Sequence, residues 1–189
     1  MVKLVTVLGS VTPPGRSLKA MQWMVAAARE EQPDLEAKLL NLADYKISFA
    51  DGRAPEKFGD DTASVVAEIR TADAVIFASP VYRASFTGAL KNLLDQLPVE
   101  ALMGKPCGIV AIGASQHHYL GVDWHLRDVL TWFGALVAPV SVYLSPADFT
   151  DGQPGASARE DLRALAQTVL KLGAGAKAVG PIPLAARRS

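Results

Sequence analysis

Apolar residues crowd into five short stretches of this chain, and between those stretches they recur every three or four positions. Val2–Leu8 is nearly continuous, broken only by Lys3 and Thr6, as expected of a parallel strand covered on both faces. Leu18, Met21, Val25 and Ala28 then share one helical face up to Glu31. Residues 35–40 read as a second strand, and 41–60, rich in Asp, Gly and Pro, read mainly as an excursion loop. Val65, Ile69 and Ala72 mark a helix over 62–72, and the five apolar residues 74–78 make a third strand. Leu90, Leu93, Leu94 and Leu97 follow the helical spacing closely. After a connecting loop over 98–106, residues 107–112 form strand four. Val122, Leu126, Val129, Leu130 and Phe133 define the next helix, closed by Gly134. Residues 135–144 read as strand five, a turn-rich link over 151–155 follows, and Leu162, Leu165, Val169 and Leu172 belong to a last helix.

Five strands alternating with helices predict a doubly wound α/β fold: a flavodoxin-like three-layer α/β/α sandwich on a five-stranded parallel sheet of order 2-1-3-4-5. Residues 1–173 are expected to be one domain, and 174–189, rich in Gly, Ala and Pro and ending in Arg187 and Arg188, a flexible tail. In such a sheet a ligand binds at the carboxyl ends of strands one and three. The two most conspicuous polar loops leave the sheet at those ends.

Composition narrows the partners. The 189 residues carry 19 basic and 19 acidic side chains, a formal net charge of zero, which points to neither nucleic acid nor a membrane surface. Cys107 is the one cysteine, so no intrachain disulfide forms; it sits in a buried strand and reads as packing. The N-terminal residues have no long apolar leader and no run reaches transmembrane length, so a cytoplasmic location is expected.

The first loop runs Gly9-Ser10-Val11-Thr12-Pro13-Pro14-Gly15-Arg16-Ser17 between a strand and a helix N-terminus, where unpaired N–H groups and the helix dipole favour an anion. Ser10 and Ser17 add hydroxyl donors and Arg16 a charged fork suited to phosphate oxygens. A plainer role is open: Ser17 as a helix cap and Arg16 as a solvated charge. The loop matches neither the glycine-rich dinucleotide pattern nor a Walker A motif. In the second loop, Ser79-Pro80-Val81-Tyr82-Arg83, Pro80 stiffens the backbone, Tyr82 is placed to flank an aromatic ring, and Arg83 to favour an anionic ring or a phosphate; a surface turn is the alternative. Gly113, Ala114 and Ser115 follow strand four, small enough for close backbone approach to a ring, and lead into His117 and His118. The two histidines lack a carboxylate or cysteine at ligand spacing, so no metal site is expected. Asp60 and Asp61 read as a charge cluster at a helix start. Trp124 and His125 read as packing or interface residues, and Trp23, Trp132 and Phe133 as helix packing. Together, the loops suit a flat, phosphorylated, redox-active cofactor.

The combination of Gly9-Ser10 with Arg16-Ser17, the block SPVYRASFTGALKNLLDQLP over 79–98, and the step Leu102-Met103-Gly104-Lys105-Pro106 resembles the NADPH-dependent FMN reductases. The likeness covers about residues 2–145 and is strongest to flavin reductases that serve two-component monooxygenases of the sulfonate-desulfurisation type. It implies the following assignments. Ser10, Arg16 and Ser17 would hold the FMN phosphate. Pro80, Val81, Tyr82 and Arg83 would line the ring and ribityl chain, and Gly113, Ala114 and Ser115 would close the far edge. Leu18 stands where many relatives carry Ser, Thr or Asn, and Pro13-Pro14-Gly15 departs from the usual loop.

The resemblance further implies hydride transfer from NADPH or NADH to the flavin N5, with reduced FMN passed to a partner monooxygenase. Such chemistry needs no side-chain nucleophile; Arg83 is the candidate for electrostatic stabilisation of reduced flavin. The wider family includes quinone, azo and chromate reductases with tightly held FMN, which is the alternative, and a flavodoxin-like electron carrier is a third. A homodimer or homotetramer is implied as well, with Trp124 falling where the sulfonate branch carries an interface aromatic.

Overall fold

The computed structural model describes residues 2–115 and 119–175; His117, His118 and residues 176–189 of the expected tail lie outside the described residues. Strand β1 (Val2–Leu8) lies between β2 (Leu35–Asn41) and β3 (Ala74–Pro80), β3 pairs with β4 (Pro106–Ile112), and every pairing is parallel. With β5 (Leu136–Val137) at the edge, the order is β2-β1-β3-β4-β5, as the alternation of strands and helices predicts. Alternate side chains of each strand serve opposite layers. Val5, Val7, Val75, Phe77, Cys107 and Ile109 face α2 (Thr62–Thr71), α3 (Gly88–Gln96) and α4 (Tyr119–Trp132). Leu4, Leu8, Ile76, Ala78, Val110 and Ile112 face α1 (Arg16–Glu31) and α5 (Ala156–Gly175). Cys107 is fully buried, and burial pushes its thiol up to about 12, which makes it an inert core residue.

Three elements differ from the sequence expectation. The fifth strand is split into β5 (Leu136–Val137) and β6 (Val142–Leu144), both paired with β4. Residues 138–141 face only two residues of β4 across the gap, because Pro139 has no N–H to continue the ladder. The carbonyl of Ala138 is taken up by Arg127 Nη1 at 2.9 Å, and Arg127 is held in turn by Asp123 one helical turn away. β3 runs two residues beyond 78, to Pro80, so Pro80 ends a strand and is not part of the turn. Its missing N–H is harmless: β1 has already ended on that side, where Gly9 N–H takes the Ala78 carbonyl. The link after β6 contains a hairpin, β7 (Phe149–Thr150) and β8 (Gln153–Pro154), turned by Asp151 and Gly152 at φ 51° and 74°.

The excursion over 41–60 contains two short 3-10 turns and is stitched down by the Asp60-Asp61 pair. The Asp60 carboxylate accepts from Ser48 N–H (2.9 Å), Ser48 hydroxyl (2.6 Å) and Thr62 N–H (2.9 Å), and Asp61 accepts from Lys46 N–H (2.8 Å). The Ser48 carbonyl accepts from Asn92 Nδ2 and Gln96 Nε2 of α3, each at 2.9 Å. Hydrogen bonds from Ser48 and Thr62 hold the Asp60 carboxyl well below the usual carboxylate range. A depressed native-state pKa gives stability that is present above the unfolded value, about 3.9, and lost as pH falls through the native one. Asp60→Asn is therefore expected to expose the 45–58 segment to limited proteolysis at neutral pH. Its melting temperature should also fall less between pH 5 and pH 2.5 than that of the parent; parallel curves would remove the role assigned to this carboxylate.

Candidate functional site

Three turns leave the carboxyl edge of the sheet, after β1, β3 and β4, and the chain ties them together from beneath. Gly9, the first residue after β1, lies against α3: a Cβ there would stand 2.6 Å from the Leu90 Cβ, which only glycine avoids. The buried Thr87, N-cap of α3, donates its hydroxyl to the Gly9 carbonyl and accepts from Leu90 N–H at 3.2 Å. Thr87 N–H donates to the buried Ser79 hydroxyl (3.0 Å), which donates to the Pro80 carbonyl (2.9 Å). One chain of hydrogen bonds thus runs from the first turn through α3 to the end of β3. Ser79 stood in the sequence motif, but Thr87 carried no sign of this role beyond being a Thr ahead of a helical run.

In the first turn, Ser10 is buried with its Oγ 2.9 Å from Thr12 Oγ1. Ser17 does not cap α1; Gly15 is the N-cap, extended at φ −151°, and no side chain bonds the first turn. The first turn holds no acidic residue. Bare N–H groups at the positive end of a 16-residue helix make an anion site, and a small hollow lined by Ser10, Thr12, Pro13, Ser17 and Asn41 opens beside them. Asn41, the last residue of β2, joins the site through strand pairing with Leu8, a neighbour that sequence spacing could not reveal. Arg16 is exposed at the first helical position.

The second turn is tighter than a loop. Tyr82 and Ser85 exchange backbone hydrogen bonds of 2.8 and 3.0 Å, which leaves Arg83 and Ala84 at φ 50° and 61°. This is a two-residue turn of the type that favours Asn and Gly, built here from residues that resist it. Val81 N–H is held by the Ile112 carbonyl at 2.8 Å and its side chain packs on the core, so Val81 anchors the turn while Tyr82 and Arg83 stand exposed. In the third turn, a Cβ at Gly113 would overlap the Tyr143 hydroxyl, which donates to the Ser115 carbonyl. Gly113 N–H donates to the Leu144 carbonyl at 2.9 Å. Burial raises the Tyr143 phenol, reinforced by Asp148, and keeps it a neutral donor. Ala114 is exposed next to it.

The ten sequence candidates therefore share one edge of the sheet, with Ser10, Arg16 and Ser17 on the first turn, Pro80 at the end of β3, Val81, Tyr82 and Arg83 on the second turn and Gly113–Ser115 on the third. Trp124 and His125 are exposed on α4, and Trp132 is likewise exposed although it meets Phe133 edge-on. A larger cavity, about 670 Å³, opens at the opposite edge of the sheet among Val2, Asp73, Met103, Lys105 and Leu170. Its half-buried cation, Lys105, is committed to the Ile69 and Arg70 carbonyls at the end of α2.

Comparison with known proteins shows the family to which such a sheet and sequence are similar. A family described as NADPH-dependent FMN reductase matches residues 2–149. The chain is 35% identical over 150 residues to an NAD(P)H-dependent FAD/FMN reductase of Geobacillus thermodenitrificans, covering 79% of this chain and 80% of that one. It is 32% identical over 152 residues to an NADH-dependent FMN reductase, SfnF, of Pseudomonas fluorescens, covering 80% and 81%. Among solved structures, an apo NADH:FMN oxidoreductase (EMOB) superposes with a TM-score of 0.75 at 23% identity, over 100% of this chain and 97% of that one, a likeness of fold.

Replacing Thr87 by Val removes both the cap and the tie to Gly9 at nearly constant volume. The expected loss is about 1–2 kcal/mol of unfolding free energy in urea, with Thr87→Ser retaining most of it. Equal stability of the parent and the Val variant would show that the tie carries no weight.

Proposed function

We propose that this chain, which belongs to the NADPH-dependent FMN reductase family and is an NAD(P)H-dependent FMN reductase, holds FMN across the three turns at the carboxyl edge of its sheet. The observation that carries the placement is the uncapped, carboxylate-free start of α1 beside the buried Ser10. The donor set fits a phosphate monoester: backbone N–H groups of the first helical turn, the Ser10 and Ser17 hydroxyls, and the Arg16 guanidinium. Pro80, Val81, Tyr82 and Arg83 would then run along the ring and ribityl chain, and Gly113, Ala114 and Ser115 along the far edge.

When bound, the flavin accepts a hydride from the nicotinamide of NADPH or NADH. What the chain contributes is orientation, exclusion of water and charge. Val81 and Gly113 fix the backbone of the second and third turns through the Ile112 and Leu144 carbonyls, so neither wall must reorganise on binding. Arg83 brings a positive charge to the second turn, where it favours the electron-rich form of the ring.

The exposed rim of Tyr82, Arg83 and Ala114 supports FMN as an exchanging substrate, released in reduced form to a partner monooxygenase. We further place the enzyme in the cytoplasm as a homodimer or homotetramer. Trp124 and Trp132, 60% and 54% exposed on α4, support association through that helix. No helix among the described residues is long and apolar enough to cross a membrane.

NAD(P)H oxidation by the purified protein is expected to depend saturably on added FMN. A yellow protein that ignores free FMN and reduces quinones would replace this reading with that of a tightly bound flavoenzyme. Arg83→Asn removes the charge with a residue suited to positive φ, so the turn is kept. We expect it to lower kcat/KM on the order of tenfold, about 1.4 kcal/mol, whereas an unchanged value would release Arg83 from any electrostatic role.

A further inference from the structure

Arg16 sits at the first position of α1, where a cation opposes the helix dipole, and among the described residues no carboxylate pairs with it. The contact it does make is with Phe149, whose ring lies 5.8 Å from the guanidinium carbon. Phe149 opens the β7–β8 hairpin, and each side of that hairpin is held. Asp148 accepts from Ser145 N–H (2.7 Å) and its hydroxyl (2.8 Å), and Gly155 N–H donates to the Asp148 carbonyl at 2.8 Å. The Phe149 ring packs half-buried on the core between α1 and α5. Lys19, one turn after Arg16, reaches the hairpin tip: its Nζ lies 3.0 Å from where a Gly152 Cβ would be. The hairpin thus lies along the cationic face of the first turn of α1, with an aromatic face turned to Arg16 and, among the described residues, no carboxylate on its guanidinium.

We propose that Phe149 is a positioning residue for phosphate recognition: its ring shelves the Arg16 guanidinium beside the uncapped helix start and thereby sets the preference for a phosphorylated over an unphosphorylated flavin. The proposal rests on the assignment of the first turn to the FMN phosphate. An arginine ordered in advance loses less side-chain freedom on meeting its anion, and a π face restrains a guanidinium without consuming its hydrogen-bond donors. A carboxylate in the same place would hold Arg16 as well but would repel the ligand.

The test compares dissociation constants of FMN and riboflavin, by quenching of flavin fluorescence, for the parent protein, Phe149→Leu, Phe149→Trp, Arg16→Ala and the Phe149→Leu/Arg16→Ala double variant. Phe149→Leu is expected to weaken FMN about three- to tenfold, the scale of a cation–π contact, and to leave riboflavin unchanged. Phe149→Trp should restore FMN affinity, and the double variant should bind FMN no more weakly than Arg16→Ala alone. Equal loss for both flavins, no loss for either, or losses that add in the double variant would each overturn the proposal while sparing the phosphate assignment. If the parent protein itself binds riboflavin as tightly as FMN, the phosphate assignment fails, and this inference with it.

Discussion

A parallel sheet delivers its turns to one edge but does nothing to hold them in register with one another. Here that task falls to Thr87, whose buried hydroxyl donates to the Gly9 carbonyl and accepts from Leu90 N–H, and whose own N–H donates to the Ser79 hydroxyl. Each link depends on the next. Gly9 must lack a side chain for Leu90 to approach, and the hydroxyl that caps Leu90 N–H is the one that holds the Gly9 carbonyl. The cap in turn sets where α3 begins, and with it the packing of Leu90, Leu93 and Leu94 on Val75 and Phe77. Site and core are therefore joined through a single residue, so the spacing of the first two turns follows from the fold itself.

How much of this the chain discloses depends on whether a feature is local. Strand and helix periods are local, and β1, β2, β4 and α1 through α5 lie close to where the apolar spacing puts them. The order of the sheet follows as well, since right-handed crossovers leave few alternatives. What escapes is what two distant segments decide together. The split of the fifth strand depends on Pro139 meeting the β4 ladder, and the continuation of β3 through Pro80 depends on β1 having ended alongside. Asn41 reaches the first turn only because β2 pairs with β1 in that register. The plainer role open to Ser17, a helix cap, falls instead to the extended Gly15, which leaves the helix start open.

Electrostatics separate the site from the rest of the surface. Away from it, several charges are paired: Glu68 bridges Lys3 and Lys38, Lys91 pairs with Asp95, and Arg127 with Asp123. Those partners draw Glu68 below its ordinary range and raise Lys38, the signature of mutual satisfaction. At the carboxyl edge the pattern reverses. Arg16 and Arg83 have no carboxylate partner among the described residues, and α1 begins without the acidic residues that usually settle a helix start. Two cations without a carboxylate partner, Arg16 and Arg83, thus stand where an anionic ligand would supply the balance.

The second turn shows why such a site can afford backbone strain. Two ordinary L-residues at positive φ cost on the order of 1 kcal/mol each, more than a surface turn would keep without support. That support comes from both sides. Tyr82 and Ser85 close the turn from within, and α4 closes on it from without: a Cβ at Gly121 would run into the Ala84 carbonyl, so the helix passes at a distance that only glycine permits. A glycine in place of Arg83 would relax the turn, but it would also give up the charge and widen the range of backbone conformations. Strain at Arg83 and Ala84 is thus exchanged for a fixed cation at the edge of the site, and the glycine that accommodates it has been moved to α4, where it carries no chemistry.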